Sequence, residues 1–183
     1  VYVLAAFLEE CSQPCPKPFN NINVLISPEG KQLWEYKKTF LHPQAEAPLI
    51  NAGTQEIPVA QTEFGTIGSV ICYDMDVNHY IRQAGKKEID LLLVPAYDWH
   101  EITPLHSQMA SLTAMQYGTN LLRSNGKGLS AAYDYKGKEV ASTHTLQSDK
   151  KMLLTHVPLR SVKTLYTTTG NLLVYISFLF LLL

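Results

Sequence analysis

The chain's 183 residues are enough for one α/β domain with a sizeable core, and 46% hydrophobic with 17% charged residues reads as globular rather than disordered. Fifteen basic against sixteen acidic side chains leave a formal net charge of -1, which supplies no electrostatic footprint for nucleic acid. Three cysteines are too few for a disulfide scaffold, which excludes the small disulfide-rich class.

Val1 to Leu8 and Asn23 to Ile26 read as short apolar strands separated by a loop rich in Pro and Asn. Cys11 and Cys15 stand in that loop, in CSQPCPKP. A bridge in an oxidising compartment and half of a zinc site are both open. No second ligand pair stands at a usable spacing, so the simplest reading is two loop thiols. Ser27-Pro-Glu-Gly30 has the chemistry of a turn, and Gln32 to Thr39 alternates like a returning strand, so a β-hairpin is predicted. His42 to Ile57 has no clean period and is predicted as a long loop of the kind that carries function.

Val59 to Phe64 and Ile67 to Cys72 pair across Gly65, the second almost wholly apolar, as a buried strand is. Asp76 to Lys87 has helical spacing at Val77, Tyr80, Ile81 and Ala84, and closes on Gly85 and a basic pair. Leu91 to Val94 is a second buried strand, which makes a βαβ unit the economical connection. Pro104 to Tyr117 reads as a helix on Leu105, Met109, Leu112 and Met115, the methionines serving as ordinary packing, with Gly118 as its stop. Asn120 to Arg123, Leu129 to Tyr133, Glu139 to Ser142 and Met152 to Val157 are predicted strands, with Asp134-Tyr-Lys-Gly137 a turn. The class this predicts is α/β, a mixed sheet with helices on its faces.

Both ends read as cut: the chain opens at Val1 inside a strand-like run, and closes on an uncharged run from Leu172 to Leu183. A membrane span needs roughly 20 apolar residues, so this run is a core helix or the opening of a span. Lys163 and Tyr166, placed before it like interface anchors, favour the start of a truncated transmembrane helix over 172–183. The predicted organisation is a domain over 1–160, a linker over 161–171, and that helix.

Cys72 ends an apolar run, where inert buried thiols are common. Against that reading, it stands at the C-terminal end of a strand, where open α/β sheets place ligands. The residues after it can turn into a helix, whose N–H groups lower a thiol pKa and hold an oxyanion. Lys37-Lys38 ends another strand, and an ammonium near the sulfur favours the thiolate nucleophile.

These residues carry a resemblance. Tyr36-Lys-Lys-Thr-Phe-Leu41 resembles the YRKxHL segment, and Gly65-Thr-Ile-Gly-Ser-Val-Ile-Cys-Tyr-Asp74 the GxxGxxICYD segment, of the nitrilase or carbon-nitrogen hydrolase superfamily. It runs from about Val1 to Val157 and implies an αββα sandwich, here incomplete with N-terminal strands and helices missing, that uses a Glu-Lys-Cys triad. It makes Cys72 the nucleophile and Lys38 the catalytic lysine, with Lys37 in the usual Arg place and Phe40 where His is usual.

Within the superfamily the chain is most similar to the C-terminal part of the apolipoprotein N-acyltransferases. Glu46 stands eight residues after Lys38 in KTFLHPQAE, as their second essential glutamate does in KxHLVPFGE. Trp99 in VPAYDWHE fits their mobile-loop tryptophan, Arg123-Ser-Asn-Gly126 resembles RATNNG, and Thr164 to Gly170 resembles the linker into their last transmembrane helix. The resemblance implies transfer of an acyl chain from a phospholipid donor, through a Cys72 thioester, to the N-terminal amine of a lipoprotein. Lys38 and the Tyr73 backbone N–H would stabilise the oxyanion, with no metal and no cofactor. It implies a cell-membrane protein with the catalytic domain on the extracytoplasmic face. The family's general-base glutamate stands well upstream of the lysine. Glu9 and Glu10 lie where the family uses no such residue, so the chain by itself is expected to be inactive. A soluble thiol-dependent carbon-nitrogen hydrolase and a degenerate, non-catalytic binding domain are the alternatives.

Glu46 reads either as an acid orienting Lys38 or the base, or as a solvated loop charge. Asp74 reads as an N-cap for the following helix or as part of the substrate or oxyanion site. Tyr97 and Trp99 lie in a polar loop suited to an acyl-chain or lid contact. His100, Glu101 and His106 do not place two imidazoles on one helical face, and read as solvated loop groups rather than metal ligands.

Overall fold

Two β-sheets stacked face to face, with helices on one of them, make up the architecture in a computed structural model that describes residues 1–12, 14–145 and 152–182. The first sheet consists of β1 (Val3–Glu10), β2 (Phe19–Ile26) and β3 (Gln32–Lys37), antiparallel with β2 central. A two-residue strand, β4 (Ile50–Asn51), runs parallel to the start of β2. The predicted turn closes the β2–β3 hairpin, with Gly30 at φ 79° and the Ser27 N–H donating to Lys31 at 2.8 Å.

The second sheet has the order β10-β9-β8-β7-β6-β5. Its strands are β5 (Val59–Thr62), β6 (Gly65–Ser69), β7 (Leu91–Ala96), β8 (Asn120–Asn125), β9 (Leu129–Tyr133) and β10 (Glu139–His144). β6, β7 and β8 run parallel and the flanking pairs antiparallel, which makes the sheet mixed as expected. The crossovers are α1 (Asn78–Lys86) and α2 (Leu105–Tyr117), and two further helices follow, α3 (Leu165–Thr169) and α4 (Leu172–Leu181).

Strand alternation sorts the side chains into two cores. Between the sheets lie Leu25, Trp34 and Tyr36 from the first and Ile67 and Ile71 from the second. A hydrogen bond from Asn23 Nδ2 to Ser69 Oγ at 2.9 Å ties the two sheets. On the other face, Val70, Leu92, Val94 and Leu121 pack against Ile81 and Ala84 of α1 and Ala110, Ala114 and Tyr117 of α2. Gly68 in β6 is required by close approach: a β-carbon there would lie 2.5 Å from Ile89 Cδ1.

Two expectations are corrected, and a third is met only by a short helix. The predicted packing stripe of α2 faces outward, with Leu105, Met109, Leu112 and Met115 all exposed. The buried face is His106, Ser107, Ala110, Ser111, Ala114 and Tyr117, where the small groups between the imidazole and the phenol bring the helix close to the sheet. Residues 152–157 adopt no regular structure rather than a strand. The expected opening of a membrane span is α4, a ten-residue helix, and no helix among the described residues is long and apolar enough to cross a membrane.

Candidate active site

The parallel strands β6, β7 and β8 deliver their C-terminal ends to one rim, and the chain turns sharply there. After β6, Ile71 is still extended at φ -117°, and Cys72 swings to φ 49°, opening a 3-10 turn over Cys72–Asp76. A left-handed conformation at a non-glycine residue costs of order 1–3 kcal/mol and survives only where the surroundings impose it. It leaves Cys72 partly exposed at the head of the turn, and the N–H of Tyr73 has no acceptor among the described residues. That donor is free to serve an oxyanion.

Asp74 supplies the imposition. Fully buried, it accepts four hydrogen bonds: from the Ile71 N–H at 3.0 Å, the Thr39 and Phe40 N–H groups at 3.2 and 2.7 Å, and the Tyr36 hydroxyl at 2.6 Å. Burial pushes its pKa up against the pull of these donors and of Lys38, and pushes the Tyr36 hydroxyl up as well. Asp74 does not cap α1, whose N-cap is Val77. It ties the end of β3, where the lysine pair stands, to the turn that carries the thiol. Phe40 contributes its backbone to this tie and packs its ring edge-on against His79 and Tyr80.

Lys38 is 2% exposed, and its Nζ lies 2.5 and 2.6 Å from the two carboxylate oxygens of Glu46. The loop that brings Glu46 back is pinned in turn, the His42 N–H donating to Glu46 Oε2 at 2.8 Å. The Lys38 charge reaches Cys72, as does that of Arg123. Both draw the thiol pKa down, but burial outweighs them and holds it above 9.0, so ionising the thiol requires a proton acceptor.

A third cluster was not anticipated. Arg123 of β8, wholly buried, donates through Nη2 to both oxygens of Asp98 at 3.0 and 3.2 Å. His106 Nδ1 lies 2.8 Å from Asp98 Oδ1, and its Nε2 is 3.0 Å from Asp76. Asn125 Nδ2 donates to Asp98 Oδ2, and the Cys72 thiol is 3.8 Å from Asp98 Oδ1. Burial opposes the charge on Asp98, but the His106 hydrogen bond and the Arg123 charge prevail and hold its carboxyl at about 2. Burial likewise opposes charge on His106, and its bonds to Asp76 and Asp98 overcome that and raise it above 6.5. The expectation of a solvated His106 is therefore corrected, whereas His100 is exposed as expected. Ligand atoms of Cys72, Asp98 and His106 fall within 4.8 Å of one another, a spacing that suits a metal. Arg123 Nη2, 2.9 Å from His106 Nδ1 and 3.0 Å from Asp98 Oδ1, already supplies the positive charge there.

Trp99 and Tyr97 are exposed, and the indole of Trp99 meets His42 edge-on at 5.7 Å, so the loop after β7 touches the loop that carries Glu46. Glu9 is not part of this site: it accepts from Asn20 between β1 and β2. Cys11 and Cys15 form a disulfide, which corrects the reading as two loop thiols: a four-residue separation in a proline-bent loop brings the sulfurs together.

A mixed sheet in a face-to-face pair, with a thiol at a left-handed turn past a parallel strand and a buried lysine beside it, defines a class of α/β sandwich built for nucleophilic chemistry. The chain belongs to the carbon-nitrogen hydrolase family, whose model matches residues 1–166. It is 40% identical over 74 residues to an apolipoprotein N-acyltransferase of Vibrio parahaemolyticus, covering 38% of this chain and 15% of that one. Over 118 residues it is 35% identical to the Haemophilus influenzae protein of the same name, covering 62% and 22%. The chain thus spans less than a quarter of the length of these relatives. Among solved structures, an amidase from Nesterenkonia sp. superposes with a TM-score of 0.69 at 19% identity, covering 79% of this chain and 57% of that one. A carbon-nitrogen hydrolase from Helicobacter pylori G27 gives 0.69 at 17%, covering 79% and 59%. These neighbours share the nitrilase-like fold.

Proposed function

We propose that this chain is the catalytic part of a membrane-bound N-acyltransferase that moves an acyl chain from a phospholipid to the N-terminal amine of a lipoprotein. What carries the reading is the Lys38–Glu46 ion pair, formed at the eight-residue spacing that the resemblance gives the acyltransferase branch. Relatives named apolipoprotein N-acyltransferase support it. The exposed apolar α4 and the Cys11–Cys15 disulfide fit a membrane protein with this domain on the oxidising, extracytoplasmic side.

In this scheme the Cys72 thiolate attacks the ester carbonyl, and Lys38 and the Tyr73 N–H hold the oxyanion. The ester C–O bond breaks, the lysophospholipid leaves with a proton, and the acyl group remains as a thioester. The acceptor amine then attacks, the C–S bond breaks, and an amide forms as the thiolate returns, the amine's proton passing to the general base. Against the opposing effect of burial, His106 and Arg123 hold the Asp98 carboxyl well below the usual carboxylate range, while burial holds the thiol up, so Asp98 is no base for the first step. That role belongs to the glutamate the family places upstream of the lysine.

The test uses full-length protein with phospholipid vesicles and a diacylglyceryl-cysteine peptide, read by mass spectrometry. Acyl-peptide and a Cys72 thioester are expected, and both are lost in Cys72→Ala. Turnover of small amides without acyl-peptide would replace this reading by the hydrolase one, and neither product would leave a binding domain.

A further inference from the structure

The cluster beside Cys72 has a feature that packing alone does not require. Asp98 sits in the loop after β7, His106 in α2 and Arg123 in β8, yet all three converge on the one carboxylate that the thiol faces. Asn125 and the Arg123 guanidinium fix Oδ2, and Arg123 and His106 fix Oδ1, so the carboxylate has no freedom to turn. Asp98 returns the constraint by accepting from the thiol at Oδ1.

We propose that Asp98 is a positioning residue for the Cys72 thiol, clamped by Arg123, His106 and Asn125 so that the sulfur is held at one place and in a set charge environment. The proposal rests on the nucleophilic role of Cys72 given above. The groups facing His106 are Asp76 from the turn after β6, Asp98 from the loop after β7 and Arg123 from β8. His106 Nδ1 lies 2.8 Å from Asp98 Oδ1 and 2.9 Å from Arg123 Nη2, and its Nε2 lies 3.0 Å from Asp76, so the imidazole is held from both ends. Removing the negative charge of Asp98 makes the surroundings of the thiol more positive. Removing the positive charge of Arg123 makes them more negative.

The opposite signs give the experiment. In the full-length protein, carbamidomethylation of the peptide that carries Cys72 is followed by mass spectrometry as a function of pH, using iodoacetamide as the probe. This readout needs no acyl transfer, and the acyl-transfer assay with Cys72→Ala separately tests whether Cys72 is the nucleophile. For Asp98→Asn the inflection of the rate is expected to move to lower pH by about one unit or more, while acyl transfer falls at least tenfold because the sulfur is no longer held. Arg123→Gln, which keeps a donor for Asp98 but no charge, is expected to move the inflection upward, and it serves where Asp98→Asn does not fold. An upward movement in Asp98→Asn would make Asp98 the thiol's base and overturn the proposal. Inflections unmoved in folded variants would reduce the cluster to a structural ion pair and overturn it equally.

Discussion

At the scale of single residues, the pair Lys38–Glu46 decides how the site tolerates change. Lys38 is buried with Glu46 as its anionic partner, and removing one member of such a pair strands the other charge at a cost of about 3–5 kcal/mol. Glu46→Ala is therefore expected to lower stability by about 3 kcal/mol and to abolish activity. Glu46→Gln, which keeps an acceptor for Lys38, is expected to lose activity with about half that destabilisation. Urea unfolding midpoints check the first effect and acyl transfer the second. An Ala variant as stable as the parent would make Glu46 a solvated loop charge after all. The residues of this pair were legible in the sequence because each belongs to a short local motif, as Cys72 does. Asp98, His106 and Arg123 were not, because they stand on three elements with separations of 8 and 25 residues. The one signal available was an arginine in the apolar strand NLLRSN, since a buried guanidinium must find a carboxylate.

At the scale of elements, the α2 helix shows what periodicity misses. Leu105, Met109, Leu112 and Met115 face outward, and it meets the sheet through small residues, one imidazole and the Tyr117 ring, so the face that looks less apolar in the sequence is the buried one. His106 docks this helix against the turn after β6 and the loop after β7. Its pKa is raised in the folded protein, so its contribution to stability is fully present below 6.5 and is lost as pH rises through the folded value. Asp98, held at about 2, contributes above 3.8 and loses that contribution as pH falls through its folded value. The docking is thus strongest between about pH 4 and 6.5. His106→Asn is expected to lower the melting temperature most inside this window, with the gap narrowing toward alkaline pH. A gap constant from acid to alkaline pH, followed by near-ultraviolet circular dichroism, would show that the imidazole acts there without its charge.

At the scale of the whole molecule, the chain divides between a domain that buries its apolar groups and a tail that buries none. α3 belongs to the domain: Thr167 is buried, and Arg82 donates to the carbonyls of Thr167 and Thr168 at 2.9 and 2.6 Å. Gly85 permits that contact, since a β-carbon there would lie 2.5 Å from Thr167 Oγ1. α4 follows at once, apolar on every side and exposed along its length, with Phe180 at 73% and Leu181 at 83%. A helix apolar all round and left uncovered by this domain is suited to burial against lipid or protein, and the proposed function assigns it lipid. Ending the chain after Gly170 is therefore expected to leave unfolding free energy within about 0.5 kcal/mol of residues 1–183, because no buried contact is removed. The same truncation is expected to abolish flotation with phospholipid vesicles in a density gradient. If flotation persists, other exposed apolar groups such as Tyr97, Trp99, Leu105 and Met109 carry the membrane contact instead. If stability falls by several kcal/mol, α4 packs on the domain, and the division drawn at Gly170 is wrong.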